Sequence, residues 1–119
     1  MKINCKNLIL GAAVGYNWED LKIFIKSLRK FSNCRVILIF ENILSKNLKK
    51  KFKNYNIEYF IYKEKNQKNI PGLINSKSDV GQRRYGMYEF VLKSIEKKPN
   101  KILLTDTRDV VFQNDLFKN

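Results

Sequence analysis

The sequence predicts an α/β fold, a Rossmann-like parallel sheet with flanking helices, and three observations predict it. Short apolar runs alternate with longer stretches whose apolar residues recur at helical spacing. The short runs are nearly continuous rather than alternating, as strands covered on both faces are. The connections between them are long enough to hold a helix, which parallel neighbours need. At 119 residues, one domain spanning residues 1–119 is expected.

The elements follow in order. Residues 8–14 read as a buried strand closed by Gly15. Asn17 caps the next helix, and Glu19 and Asp20 suit its positive first turn. Trp18, Leu21, Ile25, Leu28 and Phe31 share one face of that helix. Residues 36–40 form a second strand. Ser45 opens a short lysine-rich helix to about residue 52, with Leu48 and Phe52 facing inward, and residues 57–62 form a third strand. Residues 63–78 are polar, contain Pro71-Gly72 and show no period, which predicts one long loop. Ser78 or Asp79 begins a third helix whose Tyr85, Tyr88, Val91, Leu92 and Ile95 share a face, and Pro99-Asn100 ends it. Residues 101–105 form a fourth strand running into Asp106-Thr107-Arg108-Asp109, and residues 110–112 resume an extended apolar pattern.

Composition narrows the function. Lys plus Arg number 24 against 11 Asp plus Glu, a formal net charge of +13 that attracts polyanions. Yet 19 of the 24 are Lys, Asn and Ile are abundant with them, and Lys49-Lys50-Lys51 is the longest run. The charge therefore reads as a solvated surface shaped by compositional bias, and nucleic acid is not the expected partner. With no histidine, Ser-His and Cys-His catalysis and His-based zinc sites are excluded, so any metal must be held by oxygen ligands. Cys5 and Cys34 read as buried reduced thiols. Lys2 and Lys6 before the apolar residues 8–13 have a signal-like look, but the run is short and flows into a helix start. No stretch is long enough to span a membrane, and a cytoplasmic location is expected.

In open parallel sheets, ligands bind beyond the carboxyl ends of the strands. Those ends carry residues 12–16, Glu41-Asn42, Tyr62-Lys63 and residues 105–109. Asp106 and Asp109 lie in one turn, from which both can reach a single divalent cation. Mg²⁺ and Mn²⁺ prefer oxygen ligands and bridge carboxylates to substrate phosphates. The plainer alternative is a turn in which the acids serve the backbone and Arg108 forms an ion pair. Ala12-Ala13-Val14-Gly15-Tyr16 ends the first strand with small residues that either admit a nucleotide base or ease strand–helix packing. Asn42 is equally a turn residue and a polar contact to a base. Arg83-Arg84 open the third helix, where a guanidinium fork suits phosphate oxygens and a solvated helix start is the simpler reading.

The string from Lys101 through Thr105-Asp106-Thr107-Arg108-Asp109-Val110-Val111-Phe112-Gln113 resembles the acidic motif of GT-A glycosyltransferases: apolar strand, acidic turn, second apolar strand. That motif is usually Asp-x-Asp; here it is Asp-x-Arg-Asp. The resemblance implies a nucleotide-diphospho-sugar transferase type of fold. It also implies Mn²⁺ or Mg²⁺ held by Asp106 and Asp109, and a donor pocket lined by Ala13, Gly15, Tyr16 and Asn42. Arg84 matches a basic residue that the family directs at the nucleotide or its diphosphate. The partners implied are a nucleotide-sugar donor, UDP-linked, and a glycan, lipid or protein acceptor that the sequence does not name. A catalytic base is not assigned. Because the family continues with further strands after this motif, the chain is expected to be the donor-binding half, truncated at its C-terminus. The alternative from another class is a basic α/β module that binds nucleic acid without catalysis. A receiver or flavodoxin-like domain comes last, since the first strand lacks an acidic pair and no Gly-rich phosphate loop is present.

Overall fold

The computed structural model describes residues 6–62, 80–96, 98–108 and 110–113. Seven elements follow one another: β1 (Leu8–Ala12), α1 (Trp18–Phe31), β2 (Arg35–Phe40), α2 (Lys46–Tyr55), β3 (Glu58–Ile61), α3 (Val80–Ser94) and β4 (Ile102–Leu104). All pairings are parallel, in the order β3-β2-β1-β4. The expected α/β class and parallel sheet are therefore present.

Alternation along the strands builds two cores. Leu8, Leu10 and Ala12 of β1, with Ile37 and Ile39 of β2, meet Met87, Tyr88, Val91 and Ile95 of the α3 region. Ile9, Val36, Leu38 and Phe40 point the other way and meet Leu21, Phe24, Ile25 and Leu28 of α1 and Leu48 and Phe52 of α2. Thus α1 and α2 cover one face and α3 the other. Crossovers of one hand require this once the chain reverses its direction of travel across the sheet.

Local chemistry sets the boundaries. β1 ends at Ala12, two residues before its expected end. Tyr16 N–H donates to Ala13 O (3.2 Å), and Gly15 takes φ +77, so residues 13–16 turn instead of extending. Asn17 caps α1 as expected and forms a capping box, its side chain accepting from Asp20 N–H while the Asp20 carboxylate accepts from Asn17 N–H. Ser45 caps α2, which runs three residues past its expected end to Tyr55 and stops at Asn56 in the left-handed region (φ 55). The start expected for α3 at residue 78 or 79 lies outside the described residues, as do the loop expected at 63–78 and Cys5; Cys34 is a buried thiol.

Two expectations need correction. Not every strand is covered on both faces: Ile102 and Leu104 of β4 are 42% and 46% exposed. They share a face with Leu8 and Leu10, their partners in register, but α3 sits over β1 and its other neighbours. Residues 110–112 form no strand. Their path is set by Phe112, whose N–H donates to Ser27 Oγ (2.9 Å) and whose ring packs on Phe24 at 5.4 Å.

At the amino ends of the strands, Arg29 gathers four backbone carbonyls. Its guanidinium donates to Tyr55 O (2.7 Å), Asn56 O (3.0 Å), Cys34 O (2.7 Å) and Ser32 O (3.3 Å). One side chain thereby ties the ends of α1 and α2 to the start of β2. Burial lowers its pKa, an effect partly offset by Cys34. Arg35 and Glu58 form a fork across β2 and β3 (2.6 and 3.0 Å), and that hydrogen bond raises the Arg35 pKa.

Candidate functional site

The chain runs from β1 outward through β2 to β3, then crosses back to lay β4 on the other side of β1. Strand order therefore reverses between β1 and β4. At such a point the two outgoing connections part in opposite directions and leave a crevice beyond the carboxyl ends of the strands, where open α/β sheets bind ligands. The segments that meet there are residues 13–16 and residues 105–108.

These two segments are tied together. Thr107 is buried, 1% exposed, and its hydroxyl donates to Ala12 O at 3.0 Å. Its methyl lies directly over Gly11, so that a Cβ at position 11 would collide with it. Thr105 Oγ donates to Asp106 O (2.9 Å), tightening the same turn. With Thr107 turned inward, its neighbours Asp106 and Arg108 are exposed at the rim. Arg108 reaches across the crevice: its guanidinium carbon lies 5.8 Å from the centre of the Tyr16 ring, and Nε is 3.8 Å from Asp20 Oδ1. Asp20 is held for this by the capping box at the start of α1.

The proposed pocket residues divide accordingly. Tyr16 and Asp106 come to the same crevice, from β1 and β4. Ala13 is fully buried in the α1–α2 core, so its side chain packs rather than lines open space. Gly15 is exposed, and a Cβ there would meet nothing within 4 Å; its φ, not its size, is what the turn uses. Asn42 is exposed beyond the end of β2, one strand away. Arg84 lies within α3, with its side chain outside the described residues, and Asp109 lies outside them altogether. Tyr16 is a site residue expected from sequence and Arg108 is there read only as an ion-pair former, whereas Thr107, Gly11 and Asp20 were not singled out as site residues. The only signal for Thr107 was its place inside the acidic string.

Among the described residues, no three acidic or cysteine side chains gather into a cage for a metal ion. The donors present fit a different mode. Mg²⁺ keeps several waters and can be held by only one or two protein carboxylates, and Asp106 is exposed at this rim.

No known protein family matches the chain, and no curated protein matches it either. Topology and side chains are what speak to its function.

Proposed function

We propose that the crevice between the ends of β1 and β4 binds a nucleoside-diphosphate sugar, UDP-linked, as the donor site of a metal-dependent glycosyltransferase of GT-A type. One observation carries this reading: the acidic turn stands at the point of strand-order reversal, fixed to the end of β1 by the Thr107–Ala12 hydrogen bond. The resemblance of residues 101–113 to the family's acidic motif supplies the identity of the ligand.

In this reading Asp106, with Asp109 three residues on in the sequence, would hold Mg²⁺ or Mn²⁺. A cation held there would supply charge neutralisation to a diphosphate leaving group. The chain's own groups orient the donor. Tyr16 borders the base, Asn42 offers it a polar contact, and Arg84 of α3 is, by the resemblance, the guanidinium for the phosphates. The acceptor is a glycan, lipid or protein.

Calorimetric titration with UDP, with Mn²⁺ and again with chelator, tests the site. Binding is expected only with metal, and Asp106→Asn should weaken it at least tenfold, about 1.4 kcal/mol, while leaving the fold intact by circular dichroism. Binding indifferent to chelator and to that substitution would overturn the assignment. So would a folded chain that binds no nucleoside diphosphate.

A further inference from the structure

We infer that the outer surface of the α1–α2 layer is a docking face for an anionic lipid bilayer. This goes beyond the donor-site reading and does not rest on it. On α2, Lys46, Lys49, Lys50 and Lys53 are all exposed. Their spacing of i, i+3, i+4 and i+7 puts them on one side of the helix, opposite buried Leu48 and Phe52. The helix carries no acidic residue at all. Lysines at i, i+3 and i, i+4 repel one another on a helix surface, and Lys46 also stands in the first turn, where the helix dipole disfavours a cation. The arrangement works against the helix by itself and is relieved by an apposed negative surface.

The neighbouring helix extends the face. α1 and α2 lie side by side on the same side of the sheet, and α1 turns Ile23, Lys26 and Lys30 outward, again at i, i+3 and i+7. Of its acids, Glu19 is paired with Lys22 at 2.8 Å, and Asp20 is taken up by the capping box and Arg108. Six exposed lysines therefore line the outward sides of these two helices, with exposed Ile23 (55%) among them, and exposed Ile43 (81%) lies in the segment that leads into α2. Ile43 stands two residues before the Ser45 cap while its neighbour Leu44 is buried.

The side-chain chemistry favours lipid over nucleic acid. Arg29 and Arg35, whose forks would suit phosphate, are both engaged within the fold. The protruding apolar groups are aliphatic, and single-stranded nucleic acid is held on aromatic stacking platforms. Exposed isoleucines on a lysine-rich face match an interfacial surface, the aliphatic groups entering the headgroup boundary while the ammonium groups meet anionic headgroups. Among the described residues, no helix is long and apolar enough to cross a membrane, so the contact is peripheral. Ile43 follows the end of β2, so the face borders the edge of the sheet at which the crevice opens.

Vesicle flotation of the purified chain tests this, with phosphatidylcholine alone and with phosphatidylserine added. Binding is expected only to the anionic vesicles. Replacing Lys46, Lys49 and Lys50 together by Gln should weaken it on the order of a hundredfold. Replacing Ile23 and Ile43 by Ser should weaken it about tenfold. All these positions are exposed, so both variants should fold, and the lysine variant should melt no lower than the parent. Failure of the folded parent to float with anionic vesicles overturns the proposal, as does flotation that the lysine variant leaves undiminished. Binding to a single-stranded oligonucleotide that depends on the lysines but not on the isoleucines, without flotation, would make nucleic acid the partner instead.

Discussion

A Cβ at position 11 would fall within the contact radius of Thr107 Cγ2 and 3.1 Å from Thr105 O, with Leu38 Cδ2 behind it at 3.5 Å. The threonine methyl cannot swing away cheaply, because its hydroxyl is committed to Ala12 O. Gly11→Ala should therefore cost about 1–3 kcal/mol in denaturant unfolding. Thr107→Ser, which deletes the methyl and keeps the hydroxyl, should recover most of that loss in the double variant; simple additivity of the two changes would sink this explanation. Tyr62 raises a different question. It is 1% exposed and edge-on to Phe90 at 5.3 Å, and among the described residues its hydroxyl meets no hydrogen-bond partner. Burial, with a smaller contribution from Glu89, pushes the phenol from 10.0 up to about 12. The folded chain thus holds the neutral form more firmly than the unfolded chain does. That contribution is fully present below pH 10 and is lost as pH rises toward 12. Tyr62→Phe should be no less stable at neutral pH and should lose less stability across that alkaline window. Equal losses in parallel alkaline melts would refute the assignment.

The elements show where sequence reasoning holds. α1 was legible in full because its cap, its acidic first turn and its apolar stripe all report on local geometry. β1 was legible as a strand but overextended, since Ala13 and Val14 are as apolar as what precedes them and the turn is set by Gly15 and a backbone hydrogen bond. β4 misled in another way. Its continuous apolar run implied cover on both faces, yet an edge strand's exposure depends on where a helix from elsewhere settles. Arg29 was invisible: on α1 it is one more cation in a basic last turn, and its carbonyl partners arrive from the ends of three elements. Removing it leaves those carbonyls without their donor, so Arg29→Ala should cost about 2–4 kcal/mol. Arg29→Lys should recover little, because an ammonium cannot spread over four acceptors as the planar fork does. Thermal unfolding of the two variants checks both statements.

For the whole molecule, parallel strands and interleaved helices were foreseeable, but strand order was not. Placing β4 beside β1 rather than beside β3 is what turns two separate stretches of sequence into one crevice. From sequence, residues 12–16 and 105–109 are marked as strand ends and, through the resemblance, as pocket and metal residues, but nothing local says that the two ends adjoin. Which ends adjoin is a property of the sheet, and the bond that fixes them, Thr107 to Ala12, joins residues 95 apart. Asn42 and Tyr16, equally marked, end one strand apart for the same reason.

That separation has a consequence in time. Residues 8–62 contain β1, β2 and β3 with α1 and α2, a contiguous unit of short-range pairings that can assemble while the chain is still being synthesised. Throughout that interval the outer edge of β1 stands open, a bare strand edge at the centre of the future sheet and open to wrong partners. Only when β4 leaves the ribosome does Thr107 close over Gly11. A nascent chain halted before that point would own most of the sheet and none of the crevice between β1 and β4.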